Sequence, residues 1–109
     1  MNEGDLAALS PLKGHKATLT MLGDHIQLEC DNGWTLHIYN AATLAGLDVA
    51  GMPANPVQTV FYDFEYDQRS LRLIFLGGAV LSVDMSDDGY QGPEAMQLNG
   101  PDGSIVIWN

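Results

Sequence analysis

Ile26-Gln27-Leu28-Glu29-Cys30, then Asp31-Asn32-Gly33, then Trp34-Thr35-Leu36-His37-Ile38 is the stretch that decides the fold. Apolar and polar residues alternate on both sides of Asn32-Gly33, which is the period of a half-buried strand. Asn-Gly supplies the positive φ values that a tight hairpin turn requires. The segment therefore predicts strand, turn, strand. Alternation sends Cys30 to the same face as Ile26 and Leu28, so it reads as a small buried core residue. Its acidic neighbours raise a thiol pKa rather than lower it, which argues against a catalytic thiolate.

The same arrangement returns downstream. Leu71 to Leu76, Gly77-Gly78, and Ala79 to Met85 form a second hairpin by the same criteria. Displaced by 45 positions, Leu28 falls on Leu73, Cys30 on Phe75, Gly33 on Gly78, Leu36 on Leu81 and Ile38 on Val83. Upstream, Leu19 falls on Phe64 and Met21 on Tyr66, so each hairpin has a strand before it. The chain reads as two three-strand meanders, about 17–39 and 57–85, with the pattern of an internal repeat. Ala95 to Leu98, a turn over Asn99-Gly100-Pro101-Asp102-Gly103, and Ser104 to Trp108 make a third hairpin. Asn40 is placed to cap a short helix over Ala41 to Leu47, and Asp5 a helical turn through Leu9 with Pro11 beyond it. About eight short strands with one or two helical turns predict a mainly antiparallel all-β domain, a sandwich or a small rolled barrel.

The chain has 109 residues, which is one domain with a modest core. No apolar run is long enough for a membrane-spanning helix, and residues 1–10 lack the pattern of a secretion signal. The single cysteine excludes an internal disulfide. These features lead us to expect a soluble, cytoplasmic protein. Fourteen Asp and Glu stand against four Lys and Arg, a formal charge of −10. Such a surface repels nucleic acid and anionic membranes and favours cationic partners.

The acids are unevenly spread. Asp63, Glu65, Asp67, Asp84, Asp87 and Asp88 crowd into the second meander. The first and third strands of a meander run the same way, so their C-terminal ends share one end of the sheet. That topology gathers the six carboxylates along one rim, with Arg69 and Arg72 offsetting them in part. Period two places Asp63, Glu65 and Asp67 opposite Tyr62, Phe64 and Tyr66. Tyr62, Tyr66 and Tyr90 are candidate partner-binding anchors beside the acids.

No catalytic or metal motif accompanies the rim. Asp84-Met85-Ser86-Asp87-Asp88-Gly89 opens like a calcium loop, but its twelfth position is Ala95 and its flanks read as strands. His15, His25 and His37 lack the spacing of a zinc site. Ser10, Ser70, Ser82, Ser86 and Ser104 lie in no activating frame. Paired carboxylates for glycoside hydrolysis would need a cleft and desolvation that a small β-domain with exposed acids does not provide. We therefore expect neither an enzyme, nor a metal, nor another cofactor.

Tyr90-Gln91-Gly92-Pro93-Glu94-Ala95-Met96-Gln97-Leu98, with Asp102-Gly103 and Ile105-Val106-Ile107-Trp108, resembles the end of a group of small acidic bacterial domains. Leu71 to Val83 resembles the strand, Gly turn and strand that precede it. Some members of that group are encoded beside polymorphic or contact-dependent toxins. The resemblance implies a bacterial immunity protein that binds and blocks a toxin domain, and it carries no catalytic residues. A different expectation comes from Ser104 to Trp108, which is apolar on both faces and suits a strand edge covered by a second copy. On that reading the chain is a structural or interaction module that homodimerises or joins a larger assembly.

Overall fold

A computed structural model describes residues 6–45, 57–92 and 94–108. The protein is antiparallel all-β, with nine strands among the described residues. They are β1 (Lys16–Met21), β2 (Ile26–Cys30), β3 (Thr35–Ile38), β4 (Ala42–Ala45), β5 (Val57–Tyr66), β6 (Ser70–Phe75), β7 (Val80–Asp84), β8 (Met96–Asn99) and β9 (Ile105–Trp108). They hydrogen-bond in the order β4-β7-β6-β5-β1-β2-β3-β8-β9, one open sheet with β4 and β9 at its edges. Leu28, Leu36, Ile38 and Leu98 from one half share a single buried cluster with Leu71, Leu73, Leu81 and Val83 from the other. The sheet thus folds over itself like a sandwich. Each Leu so buried contributes about 2 kcal/mol of apolar transfer free energy.

The repeat seen in the sequence is also a repeat in hydrogen-bond register. Leu19 faces Leu28 and Leu28 faces Leu36 in the first meander; Phe64 faces Leu73 and Leu73 faces Leu81 in the second. Ile26 opposite Ile38 corresponds to Leu71 opposite Val83. Both hairpin turns set a positive-φ glycine at the equivalent place, Gly33 at φ 92° and Gly78 at φ 94°; Gly77 has positive φ as well, whereas Asn32, against expectation, does not. The two meanders meet at β1 and β5, where Lys16 lies opposite Val60 and Leu19 opposite Val57.

Two local expectations are corrected. The segment after Asn40 is not a helix: Ala42–Ala45 is strand β4, paired to β7, and residues 46 and 47 lie outside the described ones. Asn40 is buried, and its side-chain NH₂ donates to the Asp84 carbonyl at 2.8 Å instead of capping. The Asp84 N–H donates to the Ala41 carbonyl at 2.9 Å, so tertiary pairing satisfies the backbone that a short helix would leave frayed. Near the start of the chain, Ala7–Leu12 is a 3-10 helix that includes Pro11, with no side-chain cap; Asp5 lies outside the described residues. Its Leu9 and Leu12, with Leu6 before it, are fully buried and plug the core. The Asn32 amide donates to the Pro11 carbonyl at 2.9 Å, tying this segment to the first hairpin.

Candidate functional site

The candidate site is the end of the second meander where β5 and β7 finish. Their two ends do lie together. Ser70 faces Asp84 across the β6–β7 ladder, and the Asp67 N–H donates to the Ser70 carbonyl at 3.0 Å. The Met85 N–H donates to the Arg69 carbonyl at 2.8 Å, which fixes the turn after β5 against the segment leaving β7. That segment continues into a short 3-10 turn, Asp87–Gly89, on which Asp87 and Asp88 are exposed. Gly89 is buried there, and a Cβ on it would run into the carbonyl oxygen and side chain of Asp84.

Four of the six carboxylates, Asp63, Glu65, Asp67 and Asp84, are held by hydrogen bonds or ion pairs. Asp63 takes an ion pair from Lys13 at 3.0 Å and an N–H from Phe64 at 2.8 Å. Glu65 accepts from Arg72 Nε at 2.9 Å. Asp67 accepts from the N–H groups of Arg69 and Ser70 at 2.8 and 2.9 Å, with Arg72 a further 3.5 Å away. Asp84 accepts from the Ser86 N–H at 2.9 Å and its hydroxyl at 2.5 Å. Hydrogen bonds lower the pKa of all three aspartates: from Lys13 at Asp63, from backbone N–H groups at Asp67, and from Ser86 at Asp84. Asp63, with Lys13, lies level with Ile74 and Val80 and away from this end. At the end itself Glu65, Asp67, Asp84, Asp87 and Asp88 face Arg69 and Arg72, five carboxylates against two guanidinium groups, an excess of about three charges. Arg69 and Arg72 are next to the acids in sequence. Lys13 is not, and no local signal links it to Asp63.

The tyrosines divide. β5 carries a bulge between Phe61 and Asp63, so Phe61 turns inward and Tyr62 is the extra residue. Tyr62 is 59% exposed and does not share the inward face of Phe64, as simple alternation required. Tyr66 is 37% exposed and stacks on Phe64 at 6.5 Å, while the Lys13 ammonium lies 4.9 Å above the Phe64 ring. Tyr90 is half-buried against the core, less exposed than Tyr62 and Tyr66 and less than its reading as an exposed anchor implied.

The remaining described acids, Asp24, Glu29, Asp31, Glu94 and Asp102, lie elsewhere, so the negative charge is not confined to this end. At the opposite half, His25, His37 and Tyr39 form a ring cluster with centroid distances of 5.3 to 6.4 Å, and His25 Nδ1 lies 2.8 Å from Asp24. The sequence did not announce this cluster, because His25 precedes its strand and the two others follow on the next. Among the described residues, no three His, Cys, Asp or Glu side chains converge as a metal site. Cys30 is buried, and burial aided by Asp31 pushes its thiol pKa up to about 11, which leaves it protonated at neutral pH. Asp63, Asp67 and Asp84 have lowered pKa values and stay solvated, the reverse of what a general acid needs. No helix among the described residues is long and apolar enough to cross a membrane. No family model, curated protein or solved structure matches the chain.

Proposed function

We propose that this chain is a non-catalytic protein-binding domain, an immunity protein that covers the basic surface of a toxin domain with the carboxylate end of its second meander. One observation carries the reading: Asp87 and Asp88 are exposed at the end where Asp67 and Asp84 meet, and hydrogen bonds hold the pKa of those two below the usual carboxylate value. The turn hydrogen bonds fix several carboxylate oxygens in advance, so a cationic partner meets them without a large ordering penalty. The overall charge of −10 accelerates encounter with such a partner. Tyr62, the most exposed aromatic of the three candidates, is the apolar anchor next to Asp63.

The test is capture of a basic protein from a bacterial lysate at about 0.1 M salt, where charges act over about 10 Å, and its release at about 1 M, where that range is about 3 Å. Asp87→Lys with Asp88→Lys should slow association with the captured protein by tenfold or more. Tyr62→Ala should leave the association rate alone and speed dissociation. Retention that ignores both salt and the double charge reversal would remove this end of the sheet from the function.

A further inference from the structure

At the far edge of the sheet the surface has a different character. Among the described residues β9 pairs only with β8, and no described strand lies along its outer side. Ile105 is 61% exposed and Ile107 43%, side by side on the outward face. The Gly100 N–H donates to the Ser104 carbonyl at 2.8 Å and the Ala95 N–H to the Trp108 carbonyl at 2.7 Å. Even-numbered residues of β9 therefore turn their backbone groups toward β8, and the N–H and C=O of Ile105 and Ile107 point away from the sheet. Edge strands of stable monomers are commonly guarded by lysine, proline or a bulge. Ile105–Trp108 contains no lysine and no proline, and its pairing with β8 is regular from Met96 to Asn99.

We infer that β9 is the seat of a two-fold contact with a second copy of this chain, strand against strand. An antiparallel pairing centred on Val106 sets Ile105 opposite Ile107 of the second copy and Ile107 opposite its Ile105. Both are hydrogen-bonded pairs in that register, so all four outward N–H groups find carbonyls and four isoleucines close over one face. Charge selects the occupant. The outward residues of the adjoining strands are Gln97, Asn99, Thr35 and His37, so β3, β8 and β9 hold no carboxylate and no Lys or Arg. A cationic partner gains nothing on such a face. A chain with a charge of −10, in contrast, approaches its own copy best where it carries no acid. The strand is short, which puts the contact in the small, reversible class.

The experiment is light scattering after size exclusion, run from micromolar to sub-millimolar concentration at about 0.1 M and about 1 M salt. The expected result is a mass that rises to twice the monomer with concentration and is no lower in the higher salt. Ile107→Pro removes an outward N–H but no bond to β8, and Ile105→Lys with Ile107→Lys guards the edge; each should hold the protein monomeric. Should these variants fail to fold, Val106→Cys keeps the question open to a decision, because it forms an intermolecular disulfide only if the two-fold pairing exists. A wild-type monomer at every concentration, a dimer dissolved by salt, a dimer unchanged in folded edge variants, or no Val106→Cys cross-link would each overturn the inference. Asp87→Lys with Asp88→Lys should not alter the dimer, which separates this contact from the carboxylate end.

Discussion

Superposed through their shared register, the two meanders differ on the side that faces water. Where the first has Thr18, Thr20 and Gln27, the second has Asp63, Glu65 and Arg72. Inward, Leu28 and Leu36 match Leu73 and Leu81, all fully buried. The turns diverge too. Gly33 lies against Pro101, and the nearby Gly100 lies against the Trp34 ring, so the first hairpin is roofed by the loop between β8 and β9. Gly77 and Gly78 have open space where a side chain would go. One ladder thus supports two surfaces: its apolar period is fixed by burial, while the outward positions are free to carry charge or not.

The comparison breaks first, if it breaks, in the core. Leu28→Ala and Leu73→Ala should each destabilise the fold by about 2–5 kcal/mol, with nearly equal values, because equivalent positions lose the same apolar contacts. Urea unfolding of the two variants measures this directly. A large inequality would mean that equal register does not bring equal packing.

A smaller effect separates the turns. Alanine at Gly33 or Gly78 must adopt a left-handed backbone, a cost of about 1–2 kcal/mol. At Gly33 the new Cβ would also lie 2.8 Å from Pro101 Cβ, so Gly33→Ala should cost more than Gly78→Ala. Equal losses would deny the roof over the first turn any energetic weight.

The smallest effects are pH-dependent, and the halves should respond in different ranges. Burial, and then the neighbouring His25, lower the His37 pKa from its usual 6.5. The unfolded chain takes up that proton first, so stability falls as pH drops below 6.5, and His37→Gln should flatten this limb. Asp63, Asp67 and Asp84 are lowered from 3.8, so their contribution is present above 3.8 and is lost as pH falls below it. Asp67→Asn should weaken that acid limb and leave the His37 limb intact. Unfolding midpoints followed from neutral pH into acid distinguish the two.

What was legible in the sequence was local. Asn32-Gly33 and Gly77-Gly78 punctuate alternating runs, so hairpins, faces and the pairing of their strands follow from neighbouring residues. The gathering of Asp67 and Asp84 at one end was legible as well, since it follows from the direction of strands in a meander. β4 was not, because Ala42-Thr43-Leu44-Ala45 has no strand signature of its own and becomes a strand by pairing with β7. The bulge at Tyr62 was equally silent: no glycine or proline marks it, and it shifts the inward position to Phe61. The neutralisation of Asp63 was hidden for a third reason. Lys13 comes from the far end of the chain, and only the β1–β5 seam brings it near.

The sheet order also governs how the protein must be made. β3, in the first half of the chain, pairs with β8, and β4 waits for β7. A ribosome that has released only the first four strands has therefore exposed the edges of β1, β3 and β4 that await β5, β8 and β7, with no later chain to cover them. Neither half is an autonomous folding unit under that exchange of strands. Synthesis must run nearly to Trp108 before the last ladder closes, and the nascent chain is at its most aggregation-prone in the interval.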